Sequence, residues 1–309
     1  NFLNNELQKA LAGKQCGVSF SLGNYSQSIS GQTVPKDMET MLQLTYLYFT
    51  ALKKDTTSFN AYVTAMRQQL ANKNLNPEAV FSDSVNCIVS GYQKRFAPAN
   101  VNDLSHISYD RMLQIARERL ANPGQFTFYF IGNYDEKTII PLIEQYIASL
   151  PSTGKKENYK QLKVYADGKI DRTISRKMET PKCISLMLWR EKMPYTLANS
   201  VLADAAGQVL SMEYLKQIRE DASAAYSVGA SGGLSRNGKE TFALMQAYCP
   251  MDPAKREQAV GLLKSIIKDC SVKVDPDKVK KVKDYMLKQA DVSVKTNSYW
   301  LGIITEFDE

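Results

Sequence analysis

The stretch FTFYFIGNYDEKTIIPLIEQYIASLP, residues 126–151, decides how the chain is to be folded. Residues 126–131 form a short apolar run that reads as a buried strand, and Gly132-Asn133 turn the chain. Asp135 is placed to cap a helix in which Ile139, Ile140, Leu142, Ile143, Tyr146 and Ile147 recur at helical spacing, and Pro151 stops it. A strand that feeds directly into an amphipathic helix makes this part of the chain α+β.

Upstream, residues 19–29 alternate loosely and read as one strand, followed by a turn at Gly31 and Pro35. Met38, Met41, Leu42, Tyr48, Phe49 and Leu52 then recur with helical period, as do Phe59, Tyr62, Val63, Met66 and Leu70 in the next segment. Asn76-Pro77 supplies a cap and a first-turn proline for a helix that Gly91 closes. Ser108 opens another, which Pro123 and Gly124 end.

Downstream, residues 152–158 contain only Ser, Thr, Gly, Lys, Glu and Asn, and we expect the domain linker there. Residues 163–166 and 170–176 flank Asp167-Gly168, a hairpin signal, and residues 183–189 read as a buried strand. A long helix is predicted over residues 194–218. Residues 224–230 and 241–248 then read as two strands joined by a polar loop that contains Gly232, Gly233, Asn237 and Gly238. Asp252-Pro253 and Asp275-Pro276 start two more helices, and a last one passes through Tyr299, Trp300 and Ile303. Residues 18–72 and 224–290 share an order of strand, turn, strand, proline-bearing start and two helices, which suggests a weak internal repeat. The expected fold class is therefore α+β in two similar domains, residues 1–152 and 159–309, each with a mixed or antiparallel sheet covered by helices on one face.

Composition narrows the function classes. At 309 residues and 44% hydrophobic content the chain can form two cores of roughly 150 residues each. No apolar stretch approaches the roughly 18 residues of a membrane span, so the chain is read as soluble with no membrane partner. The net charge of +7 comes from 39 basic residues interleaved with 32 acidic ones. The densest run, Lys278, Lys280, Lys281 and Lys283, has helical spacing around Asp277 and Asp284 and reads as a solvated helix face rather than a nucleic-acid track. Cys16, Cys87, Cys183, Cys249 and Cys270 are widely separated and odd in number, which points to buried thiols rather than a disulfide framework or a zinc ribbon. The chain opens at Asn1 and is read as a fragment or processed protein; bacterial periplasm and cytoplasm both stay open.

Two segments carry a family resemblance. Residues 126–151, with the Gly132-Asn133 turn, Tyr146 and the Leu150-Pro151 stop, are similar to the segment that ends domains of the pitrilysin (insulinase-type) zinc peptidases. Residues 214–226, YLKQIREDASAAY, resemble the last domain of that family, where a helix ends in Ile-Arg-Glu and a strand starts seven residues later. The resemblance implies a LuxS/MPP-like metallopeptidase fold, with this chain holding the third and fourth of the family's four domains, the third lacking its first strands and the fourth cut short. It also implies that Arg219 and Tyr226 face the zinc site across a closed chamber and grip a scissile peptide carbonyl. A guanidinium donates in a fixed fork and a phenol gives one short hydrogen bond, so the pair suits an oxygen that gains charge. On the residues alone, Arg219 could instead pair with Glu220 or Asp221, and Tyr226 could be a half-buried strand aromatic.

The family's zinc motif, H-x-x-E-H, is missing, because His106 is the only histidine. No metal or cofactor is expected in this chain; zinc is expected in an N-terminal catalytic half, on the same longer chain or on a separate subunit. His106 reads as a capping or surface residue, no nucleophile elbow lies near it, and Gly229, Gly232 and Gly233 match no nucleotide-binding loop. The expected function is the substrate-holding, C-terminal half of a zinc endopeptidase or oligopeptidase that acts on peptides. The alternative is an inert partner subunit or structural scaffold of the same family.

Overall fold

The computed structural model describes residues 3–308 and divides into two compact units, one ending at Ile174 and the other beginning at Ser175. In the first, α1 (Asn4–Ala10) precedes the antiparallel hairpin β1 (Cys16–Leu22) and β2 (Gln27–Thr33). The single strand expected over residues 19–29 is thus two strands. Phe20 lies opposite Ile29, and the Gly23 amide donates to the Ser26 carbonyl at 2.9 Å to close the turn. The apolar alternation persisted through the turn because both arms present one face to the same helix.

That helix is α2 (Met38–Thr50), which buries Met41, Leu42 and Thr45, and its Tyr48 hydroxyl donates to the Val18 carbonyl of β1 at 3.2 Å. The helices α3 (Thr56–Lys73), α4 (Pro77–Val89), α5 (Tyr109–Leu120) and α6 (Glu136–Ile143) each begin at a side chain that accepts a first-turn amide: Asp55, Asn76, Ser108 and Asp135. Pro141, which has no N–H to give the helical ladder, lies inside α6, three positions before a π-helical turn at Glu144–Ala148.

Residues 126–131 form no ladder, contrary to the strand expected there. β1 and β2 pair with each other, and the run is held instead through Phe126 and Phe128, whose rings lie 5.2 and 6.0 Å from that of Phe49 on α2. Residues 163–176 form no hairpin either. Gly168 turns with φ +72°, but the Ala166 amide donates to the Val89 carbonyl at 2.9 Å, so the first arm is fastened to the end of α4. The polar segment 152–158 is also no free linker. Buried Asn122 donates to the Lys155 carbonyl at 2.6 Å and accepts the Thr153 amide at 3.1 Å, and Arg119 pairs with Glu157 at 2.9 Å. These bonds hold the segment on the first unit, and the division between units comes later than composition suggested.

The second unit is built on β3 (Cys183–Lys192), α7 (Leu197–Tyr214), β4 (Gly229–Asn237), β5 (Glu240–Met251), α8 (Arg256–Val272), α9 (Pro276–Ser293) and α10 (Asn297–Asp308). The sheet order is β3-β5-β4, antiparallel throughout, with Leu186, Tyr248 and Gly229 in one register row. Along β5 the buried Ala247, Cys249 and Met251 alternate with exposed Gln246 and Tyr248, the period-two pattern of a sheet covered on one side. Tyr214 and Leu210 of α7, Ile218 just beyond it, and Ala259, Leu263 and Ile266 of α8 close that side. Asp252 and Asp275 cap the starts expected for them, and Arg236 at the tip of β4 lies 4.1 Å over the Tyr195 ring, whose hydroxyl meets Glu306 of α10.

β4 runs later than expected, through glycines that read as loop. The reason is a backbone contact with α7. A methyl group at Gly207 would lie 2.1 Å from the Gly232 amide nitrogen, and one at Gly232 would lie 2.0 Å from the Ala203 carbonyl oxygen. Both units share an element order of hairpin, short 3₁₀ turn led by Pro35 or Pro253, and two helices. Among the described residues no helix is long and apolar enough to cross a membrane.

Because the obstructing atoms are backbone, Gly207→Ala and Gly232→Ala are each expected to destabilise the second unit by about 1–3 kcal/mol or more. Gly233→Ala, where nothing lies within 4 Å, is expected to be near neutral in the same urea unfolding experiment.

Candidate functional site

Helix α7 does not stop at Tyr214 but widens into a π-helical turn, Leu215–Asp221. Tyr214 is fully buried and its hydroxyl donates to the Leu263 carbonyl at 3.0 Å; burial raises its pKa above the ordinary phenol value. The π turn ends with the Ala222 amide on the Gln217 carbonyl at 3.2 Å, and Ser223 follows with φ +47°. That left-handed conformation is the usual helix stop, but glycine normally occupies it. The Ala224 amide then returns to the Ile218 carbonyl at 2.8 Å.

Ile218 and Ala224 are fully buried and Val228 is 8% exposed, so three apolar side chains pin the connection 218–228. Between the pins, Arg219 is exposed and Tyr226 is 72% exposed. Among the described residues neither makes a hydrogen bond or ion pair, so Arg219 is not spent on Glu220 or Asp221. Tyr226 is not a strand residue, since β4 begins three positions later at Gly229. Both side chains expected to bind substrate thus stand on one short, anchored connection of the second unit.

Beneath this connection lies a feature that pattern reading missed. Glu213 of α7 and Lys278 of α9 pair at 2.6 Å with each side chain only 12% exposed, and Gln217 of the π turn donates to the same carboxylate at 3.0 Å. Desolvation alone would raise the pKa of Glu213, but the hydrogen bonds from Lys278 and Gln217 and the charge of Lys278 together outweigh it and hold the group below its ordinary value. Lys278 therefore leaves the solvated face to which the sequence assigned it, while Lys280, Lys281 and Lys283 stay exposed.

The chain does not fit a peptidase zinc site. Its one imidazole, His106, is exposed and its Nδ1 lies 3.1 Å from the Asn102 carbonyl. Among the described residues no three His, Cys, Asp or Glu side chains gather to hold a metal ion. The cysteines are free thiols; Cys249 is fully buried, which pushes its pKa up to about 11, and the other four are half-buried.

Comparison with known proteins shows the family. Residues 106–286 match the family model described as "Peptidase M16 inactive domain". The chain is 27% identical over 116 residues to the Arabidopsis thaliana "Zinc protease PQQL-like" and 22% identical over 184 residues to the Escherichia coli "Probable zinc protease PqqL". Those alignments take in 37% and 57% of this chain but 12% and 19% of the relatives, so the aligned stretches span less than a fifth of either. The crystal structure of the periplasmic protease PqqL from Escherichia coli superposes with a TM-score of 0.78 at 17% identity, covering 98% of this chain and 33% of that one.

Removing one member of a largely shielded ion pair strands the other charge, so Glu213→Ala is expected to destabilise the second unit by about 1–3 kcal/mol, less than for a fully buried pair. Glu213 holds its proton less tightly folded than unfolded. The pair therefore stabilises fully above the unfolded glutamate value of about 4.3, and the contribution fades as pH falls through the lower folded value. Urea midpoints measured from pH 7 down to pH 3 are expected to drop more steeply for the native chain than for Glu213→Gln.

Proposed function

Because the chain belongs to the peptidase M16 inactive-domain family, we propose that it is the substrate-holding half of a zinc-dependent peptidase, and that Arg219 and Tyr226 bind the scissile carbonyl of a peptide. Hydrolysis itself belongs to a catalytic half that this chain does not contain, on the same polypeptide or on a partner subunit. The two units correspond, in this reading, to the family's third and fourth domains.

The observation that carries the reading is the state of the two side chains. A guanidinium and a phenol, both exposed and without partners among the described residues, are presented by a connection whose neighbours Ile218, Ala224 and Val228 are locked in the core. The connection that carries these donors is anchored, and among the described residues neither donor is already satisfied, so both are available to an oxygen that acquires charge.

The test is turnover of a reporter peptide by the complete protein or by this chain recombined with its catalytic half. Arg219→Ala and Tyr226→Phe are each expected to lower kcat by about 10²–10³ with little loss of stability. Unaltered turnover in both variants would instead identify the chain as a scaffold.

A further inference from the structure

We propose that Lys255 is a positioning residue for Arg219 and Tyr226, acting through the peptide unit that joins Ser223 to Ala224; the inference rests on the carbonyl-binding role proposed for that pair. This peptide unit lies between the two side chains, four residues beyond Arg219 and three before Tyr226. It is gripped at both ends. Its N–H donates to the Ile218 carbonyl at 2.8 Å, and its carbonyl accepts the Lys255 ammonium at 2.5 Å.

The second grip is the one the backbone needs. Ser223 sits at φ +47°, a region that side chains other than glycine adopt at a cost, so the unit tends to rotate out of it. With only its N–H tied, the peptide plane can swing about that single bond, and either direction displaces Arg219 relative to Tyr226. A charged donor on the carbonyl removes that freedom, and hydrogen bonds to charged groups are the stronger kind.

Lys255 is well placed to act as an anchor. It ends the short 3₁₀ turn Pro253–Lys255, whose Asp252 carboxylate accepts the Ala254 amide at 2.8 Å and whose Asp252 carbonyl accepts the Lys255 amide at 2.9 Å. The preceding residue, Met251, is 2% exposed at the end of β5. The ammonium thus reaches the connection from a base fixed to the central strand.

The test uses the complete enzyme with Lys255→Met, Lys255→Arg and Ser223→Gly alongside Arg219→Ala and Tyr226→Phe. Misplacement of a binding group by about 1 Å can cost on the order of 10²-fold in rate. Lys255→Met is expected to lower kcat at least tenfold with KM and the thermal midpoint unchanged, and Lys255→Arg to restore most of it. Ser223→Gly is expected to lower kcat while leaving stability equal or raised, because it relieves φ but loosens the turn. Lys255→Met added to Arg219→Ala is expected to cost much less than it does alone. If Lys255→Met keeps full kcat while Arg219→Ala and Tyr226→Phe lose theirs, this inference is overturned and the underlying reading stands. If all of them keep full kcat, the reading of the pair falls first. A parallel fall in kcat and thermal midpoint that Lys255→Arg does not restore makes Lys255 merely structural and also overturns the inference.

Discussion

The second unit depends on the direct contact of helix α7 with strand β4 at Gly207 and Gly232. Neither glycine has positive φ; each is there because any side chain would meet the opposing backbone at about 2 Å. Helix and strand are consequently closer than side-chain packing normally allows, and the connection that joins them has little slack. It must leave the helix, reverse and enter the strand within the seven residues between Asp221 and Gly229. The π-helical turn, the left-handed serine and the buried alanine are three local means of achieving that reversal. Widening of the last helical turns displaces the following residues relative to an ordinary α-helix, a device found often where a side chain must be re-aimed.

Charge in this unit is distributed according to depth. The Glu213–Lys278 pair lies under the connection, is mostly shielded from water and is completed by Gln217. Such a pair contributes less to net stability than to choosing one arrangement, since desolvation offsets much of its attraction. Here it ties α9 to the turn that bears Arg219. The exposed guanidinium, by contrast, is not neutralised among the described residues. A cation retained at the surface is available for an external anion or a polarised carbonyl, whereas a cation paired inside the fold is not.

Legibility of the fold followed the range of the interactions involved. Helices were readable because their signals are local: Asn76, Asp135, Asp252 and Asp275 each accept the amide that their position beside a first turn implies. Strands were less readable because a ladder needs a partner. Residues 126–131 have strand composition but join no ladder, and residues 163–176 have a turn but form no hairpin. β4 was obscured in the opposite way. Its glycines weaken local strand preference, yet they are what the approach of α7 requires, a constraint visible only with both elements in place. The polar segment 152–158 looked like a linker because its fastening to buried Asn122 goes mostly through backbone groups, which no composition reports.

The candidate site shows the same division. Arg219 and Tyr226 could be named only through the family resemblance of residues 214–226, and their exposure and lack of partners among the described residues were not legible in it. Lys278 and Lys255 are both lysines in charged surroundings, and a pattern treats them alike. One is buried against a carboxylate and the other reaches across a turn to a carbonyl. Each bonds to an element remote in sequence: α9 to α7, and the start of α8 to the end of the π turn. What a lysine does in this fold is therefore decided by which backbone or side-chain acceptor the tertiary contacts bring within 3 Å. The close contact of α7 with β4 determines where those acceptors lie, and so the geometry available to Arg219 and Tyr226 is inherited from two glycines that touch no substrate.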